Sequence, residues 1–148
     1  MVQTMKAFVR TSATAQTVEM MEVVKLVFTD EEVLVQVKAF GVGIHDRYFI
    51  PQTVHFPYVI GSEGAGTIVE VGNAVTGLAV GDNVMMSTSM LEKGGSLAEY
   101  VAVPRRNLVK MSANLHFAAF PVAGKTAIEC MKALNLKIDL QLNSNYCR

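Results

Sequence analysis

The stretch Glu32 to Phe40, EVLVQVKAF, alternates without a break. Val33, Val35, Val37 and Ala39 fall on one side, and Leu34, Gln36, Lys38 and Phe40 on the other. Successive side chains of an extended strand point to opposite faces, so this pattern dictates a β-strand with one purely apolar face. Weaker β-like runs occupy Met5 to Arg10, Thr67 to Val71, Asn83 to Met86 and Leu97 to Val103. Turn formers separate them: Thr29-Asp30, Gly41-Val42-Gly43, Gly72-Asn73, Gly81-Asp82 and Gly94-Gly95. Several short strands punctuated in this way predict a mainly β chain, folded as a barrel or sandwich. At 148 residues the chain has the size of one domain, large enough to bury roughly 68–70% of its unfolded surface.

The tail changes period. Pro121 is suited to a first helical turn, where its missing N–H costs nothing. Ala123, Ala127, Met131 and Leu134 then recur at helical spacing, with Lys125, Glu129 and Lys132 on the polar side. This predicts one amphipathic helix fading near Asn135. Cys130 falls inside it and is expected to be a small buried hydrophobe.

Charge excludes some function classes. Thirteen basic residues balance thirteen acidic ones, and the single adjacent basic pair, Arg105-Arg106, reads as a solvated turn. Nothing here favours nucleic acid or a membrane surface as a partner. No apolar run approaches the roughly 18 residues of a membrane span, and MVQTMKAFVR lacks the apolar core of a signal peptide. The expectation is a soluble, cytoplasmic protein. Cys130 and Cys147 form neither a disulfide framework nor a Cys-x-x-Cys pattern.

The stretch Gly61 to Gly66, GSEGAG, raises three readings. A dinucleotide fingerprint needs G-x-G-x-x-G between strand and helix; here the spacing is G-x-x-G-x-G and the strand-like TIVEV follows. Gly124-Lys125-Thr126 fails as a P-loop because Ala119 stands where its first glycine belongs. Candidate metal ligands are His45, Asp46, His55, Glu63, His116 and the two cysteines, but none forms a compact ligand spacing. The remaining reading is structural: glycines at a bulge, a tight bend or a close backbone approach. Glu63, in apolar company, then needs a partner.

Taken in order, MKAFVR, VLVQVKAFGVG, FPYVIGSEGAGTIVEVGNAVTGLAVGDNV, GGSLAEYVAVP and PVAGKTA resemble the amino-terminal part of the medium-chain dehydrogenase/reductase superfamily. The resemblance covers about residues 5 to 135. It implies a GroES-like β-barrel, the family's catalytic domain, over residues 1–120. A linking helix over 121–135 and an atypical tail over 136–148 complete the expected division. Zinc-dependent members carry G-H-E where this chain has Gly61-Ser62-Glu63, and a ligand cysteine falls at His45 when VGI is matched to VGI. A hydroxyl is a poor zinc ligand beside thiolate and imidazole. The resemblance therefore points to the zinc-free quinone oxidoreductase branch.

What that branch implies is hydride transfer from NADPH to a quinone or an enone, without a metal. Asp46 and Tyr48 match its D-x-Y, and Thr126 matches the threonine of its P-x-x-G-x-T-A. By this resemblance Tyr48 and Asp46 belong to the catalytic side. Thr126 and His45 belong to the cofactor side, with Thr126 bonding the nicotinamide carboxamide. Gly43 departs from the family's common Asn, and the stretch from Phe117 to Pro121 is shorter than usual. The G-x-G-x-x-G βαβ unit of the nucleotide domain and the C-terminal return strands are not found. The expectation is a domain inactive alone, with barrel edges that drive self-association. The alternative is a non-enzymatic GroES-like module that binds a small hydrophobic ligand or a protein partner.

Overall fold

The computed structural model describes residues 4–48, 50–111 and 120–135. Eight strands and one helix follow in order: β1 (Thr4–Arg10), β2 (Glu19–Val24), β3 (Glu32–Phe40), β4 (Tyr58–Val59), β5 (Glu63–Val71), β6 (Asn83–Ser87), β7 (Tyr100–Pro104), β8 (Leu108–Lys110) and α1 (Lys125–Ala133). A 3₁₀ turn, Ile44–Arg47, follows β3, and a wide π-helical turn, Phe120–Gly124, leads into α1. The strands form two antiparallel sheets, ordered β2-β1-β4 and β7-β3-β5-β6-β8.

The alternation of Glu32–Phe40 appears as the central strand β3, paired with β5 on one side and β7 on the other. Val33 and Val35 are fully buried with Ile68, Val84, Met86, Val101 and Val103 in the main core. Leu34, on the opposite face, is buried as well. Burying a side chain of this size is worth about 1.5–3 kcal/mol, so this cluster is the chief source of the barrel's stability. The smaller core under the three-stranded sheet holds Met5, Ala7, Val9, Val59 and Ala98. Residues 97–99 join the sheets. Phe8 donates its N–H to Leu97 O at 2.8 Å, Glu99 to Lys6 O at 3.0 Å, and Val37 to Glu99 O at 2.9 Å.

The glycine-rich stretch lies inside a strand. β5 starts at Glu63, four residues before the run Thr67 to Val71, and Glu63, Gly64, Ala65 and Gly66 pair with Ser87, Met86, Met85 and Val84. A Cβ on Gly66 would overlap the Gln36 carbonyl oxygen, and one on Gly64 would come within 3.0 Å of Ala39 O. The β3–β5 register shifts between Val37 and Ala39 in the same place. Glycine is required there because two backbones approach at a bulge.

The helix corrects the sequence reading. It forms where the period placed it, but none of its described side chains is buried, and Leu134 is 69% exposed. Cys130, expected inside, is exposed. Ile128 and Met131 are half-buried, and Ile128 faces Met85 of β6 and Val109 of β8 only across a cleft, so the helix lies loosely against the barrel. No helix there is long and apolar enough to cross a membrane.

Candidate active site

The turn after β3 sets the first half of the site. Asp46, 6% exposed, accepts a hydrogen bond on Oδ2 from the Gly43 N–H at 2.8 Å, which closes the 3₁₀ turn Ile44–Arg47. That closure folds the His45 ring back over Gly43. A Cβ at position 43 would overlap His45 Cε1, so only glycine leaves room for the imidazole. His45 Nε2 thereby reaches Ser62 Oγ at 2.6 Å. Ser62 is buried and anchored through its carbonyl, which accepts from the Thr88 N–H at 2.8 Å. The departures at 43, 45 and 62 are thus one arrangement rather than three. Asp46 Oδ1 is buried without a hydrogen-bond partner among the described residues and stands 3.9 Å from His45 Nε2.

Glu63 finds the partner that its burial demands. Its Oε2 accepts the Val122 N–H at 2.8 Å, and its backbone carbonyl accepts the Ser96 hydroxyl at 2.7 Å. A carboxylate at the exposed amides of a helix start is favourable, so Glu63 fastens the turn Phe120–Gly124 to the barrel. This contact is what carries Thr126 to the site's neighbourhood. Thr126 donates its hydroxyl to Val122 O at 2.8 Å and keeps oxygen lone pairs available as acceptors. It lines an open cleft of about 540 Å³ together with Ser87, Ser89 and Cys130.

The site residues named from sequence are therefore split. His45 and Asp46 sit together with Ser62, while Thr126 lines the cleft beside α1. Tyr48 is 70% exposed and faces a separate groove of about 350 Å³, beside Arg10 and Gln16. His55 is exposed, and His116 and Cys147 lie outside the described residues. Sequence reasoning passed over Tyr58, whose hydroxyl donates to Leu91 O at 2.7 Å. Burial pushes that phenol up to about 12, so it stays protonated and structural.

The donor set can be tested against a metal. Tetrahedral zinc with bonds near 2.0–2.1 Å sets its ligand atoms roughly 3.3 Å apart. His45 Nε2 and Ser62 Oγ are 2.6 Å apart, bonded to each other, and one of them is a neutral hydroxyl. Glu63 is committed to Val122, and no three His, Cys, Asp or Glu side chains converge among the described residues. These residues do not fit a tetrahedral zinc. The nicotinamide end of a dinucleotide fares better, because Thr126 can accept from a carboxamide N–H. No glycine-rich phosphate loop is found among the described residues.

Residues 29–113 match the alcohol dehydrogenase GroES-like domain family. The chain belongs to that family. That domain is the amino-terminal part of the medium-chain dehydrogenase/reductase superfamily. The chain is 36% identical over 97 residues to a chloroplast envelope quinone oxidoreductase homolog of Arabidopsis thaliana, covering 63% of this chain and 29% of that protein. It is 28% identical over 121 residues to a trans-enoyl reductase of Aspergillus flavipes, covering 73% and 35%. Among solved structures, a quinone oxidoreductase of Pseudomonas syringae pv. tomato superposes with a TM-score of 0.75 at 25% identity. That match covers 90% of this chain and 42% of the other. The chain thus spans about a third of these curated relatives and under half of this solved one.

Proposed function

We propose that this chain is the catalytic domain of a zinc-free, NADPH-dependent reductase acting on a quinone or an enone. On this reading residues 1–120 are that domain, and 121–135 are the helix leading toward a nucleotide-binding domain. The observation that carries it is the direct His45–Ser62 hydrogen bond, which stands where zinc-dependent relatives place two metal ligands. When bound, the cofactor supplies a hydride. Ser62 holds the imidazole, Asp46 holds the turn that presents it, and Thr126 accepts the carboxamide N–H. Tyr48 donates to the reduced oxygen of a substrate entering from its groove.

Binding energy from the remote parts of a cofactor normally positions its reactive end. With no phosphate loop among the described residues, the 148-residue chain should bind NADPH only weakly. A fluorescence titration with NADPH, and NADH as control, tests this. Millimolar or weaker binding is the expected outcome; saturable micromolar binding by the chain alone would overturn it. Zinc-free chemistry is tested separately. Quinone turnover supported by a nucleotide-binding domain should survive dialysis against a chelator.

A second reading is favoured by one observation. Phe8, Met20 and Phe40 stand exposed around a groove of about 260 Å³ floored by Leu97 and Ala98. On that reading the domain is a module for a small hydrophobic ligand. Displacement of a groove-bound fluorescent probe by a quinone would favour the ligand module only if NADPH turnover were absent in every preparation.

A further inference from the structure

Every open sheet has edges, and the four edge strands among the described residues are unequal. β4 is two buried residues. β8 is three residues ending on exposed Lys110. β7 ends on Pro104 and is buried at Val101, Ala102 and Val103. Shortness, lysine, proline and cover are the usual devices that keep an edge from pairing with another chain. β2 is not short, carries no lysine or proline, and lies uncovered among the described residues; its charges are Glu19 and Glu22. It runs for six residues, EMMEVV, and every one except Val23 is exposed. Met20 is 64% exposed and Val24 61%.

We propose that β2 is a self-association edge, pairing antiparallel with β2 of a second copy about a two-fold axis at Glu22. This stands apart from the reaction proposed above. The register follows from side-chain parity. Residues directly opposite in an antiparallel pair share a face, so the axis must pass through a residue for both cores to lie on one side of the sheet. In β2, Met20, Glu22 and Val24 share the outward face with Lys6 and Phe8, their neighbours on β1, while Met21 and Val23 face the core side with Met5 and Ala7. An axis at Met21 would set Met20 against Glu22. An axis at Glu22 sets Met20 against Val24, Met21 against Val23, and Glu19 against Lys25. Lys25 already leans on Glu70 at 3.6 Å and lies over the Tyr100 ring, so it gains a second acidic neighbour. The cost is Glu22 facing itself, each copy backed by its own Lys6 across the β1–β2 pair. The result is one six-stranded sheet, β4-β1-β2 continued by the second copy's β2-β1-β4. Seven residues a side make a small contact, so assembly is expected in the upper micromolar range.

The experiment is sedimentation of the full 148-residue chain across concentration, joined to cysteine cross-linking. In a background of Cys130→Ser and Cys147→Ser, Glu22→Cys should form a covalent dimer on mild oxidation, because opposed Cα atoms lie about 4.5–5.5 Å apart. Lys6→Cys and Val109→Cys should not. Met20→Lys with Val24→Lys should leave the chain monomeric and folded by circular dichroism. Glu22→Gln should tighten the dimer about five-fold by removing the like-charge pair. A monomer at millimolar concentration, cross-linking through Val109→Cys in place of Glu22→Cys, or a dimer weakened by Glu22→Gln would each overturn the proposal.

Discussion

The five-stranded sheet and the helix α1 are both amphipathic by sequence, yet only the sheet has its apolar side sealed. In the sheet, Val33, Val35, Ile68, Val84, Met86, Val101 and Val103 are at most 1% exposed. In α1 no described side chain is buried. Periodicity predicts the form of an element; whether its apolar stripe is covered depends on a partner surface that periodicity does not contain. The two regions are also held differently, the sheet by bulk burial and the helix start by light packing on β5 and β6 with a hydrogen bond from Val122 to Glu63.

Five substitutions would break or sharpen this contrast. The largest effect is expected at Ile68→Ala, which opens a cavity in the main core and should cost about 2–5 kcal/mol in urea unfolding. The matching change on the helix, Ile128→Ala, should cost under about 0.5 kcal/mol. Equal losses at the two positions would show that α1 is packed as tightly as the barrel. Next is Glu63→Gln, which weakens a hydrogen bond to a charged acceptor of the kind worth about 1.5–3 kcal/mol. The Val122 amide should exchange with solvent faster while β3 amides keep their protection. If both regions loosen together, the helix is not a separable unit.

At the site, Gly43→Ala should displace the His45 ring and break its bond to Ser62. The ring resonances of His45 should shift by NMR while the melting temperature moves only a few degrees, since a neutral hydrogen bond contributes about 1 kcal/mol. Unchanged His45 resonances would remove the steric coupling of the two positions. The smallest effect concerns pH. Burial pushes the Glu32 carboxyl up, but the Lys93 ammonium and the N–H and hydroxyl of Thr29 together hold it below the ordinary 4.5. Its contribution to stability is therefore complete above pH 4.5 and is lost as pH falls through the lower folded value. Lys93→Met should flatten that part of the acid unfolding curve by a few tenths of a kcal/mol.

Some of this was legible in the residues and some was not, for identifiable reasons. β3 matches its alternating run residue for residue, because one face is sealed by the core and the pattern has to be strict. β2 escaped notice because Met20, Met21, Val23 and Val24 do not alternate; pairing with β1, rather than burial, holds it extended. β4 and β8 are too short to carry a period. The start of β5 was hidden by glycines that serve backbone proximity instead of a turn. The run Leu97 to Val103 reads as one strand, yet β7 begins at Tyr100, since 97–99 serve as the stitch between sheets. Ser62 could be singled out from its motif. Its bond to His45 could not, since it spans 17 positions and depends on a side chain that is missing at Gly43.

That missing side chain works as a keyhole. With the imidazole folded into the space above Gly43, any side chain placed at 43 must first evict His45 and so part it from Ser62. Position 43 therefore guards the pair although it contributes no functional group of its own.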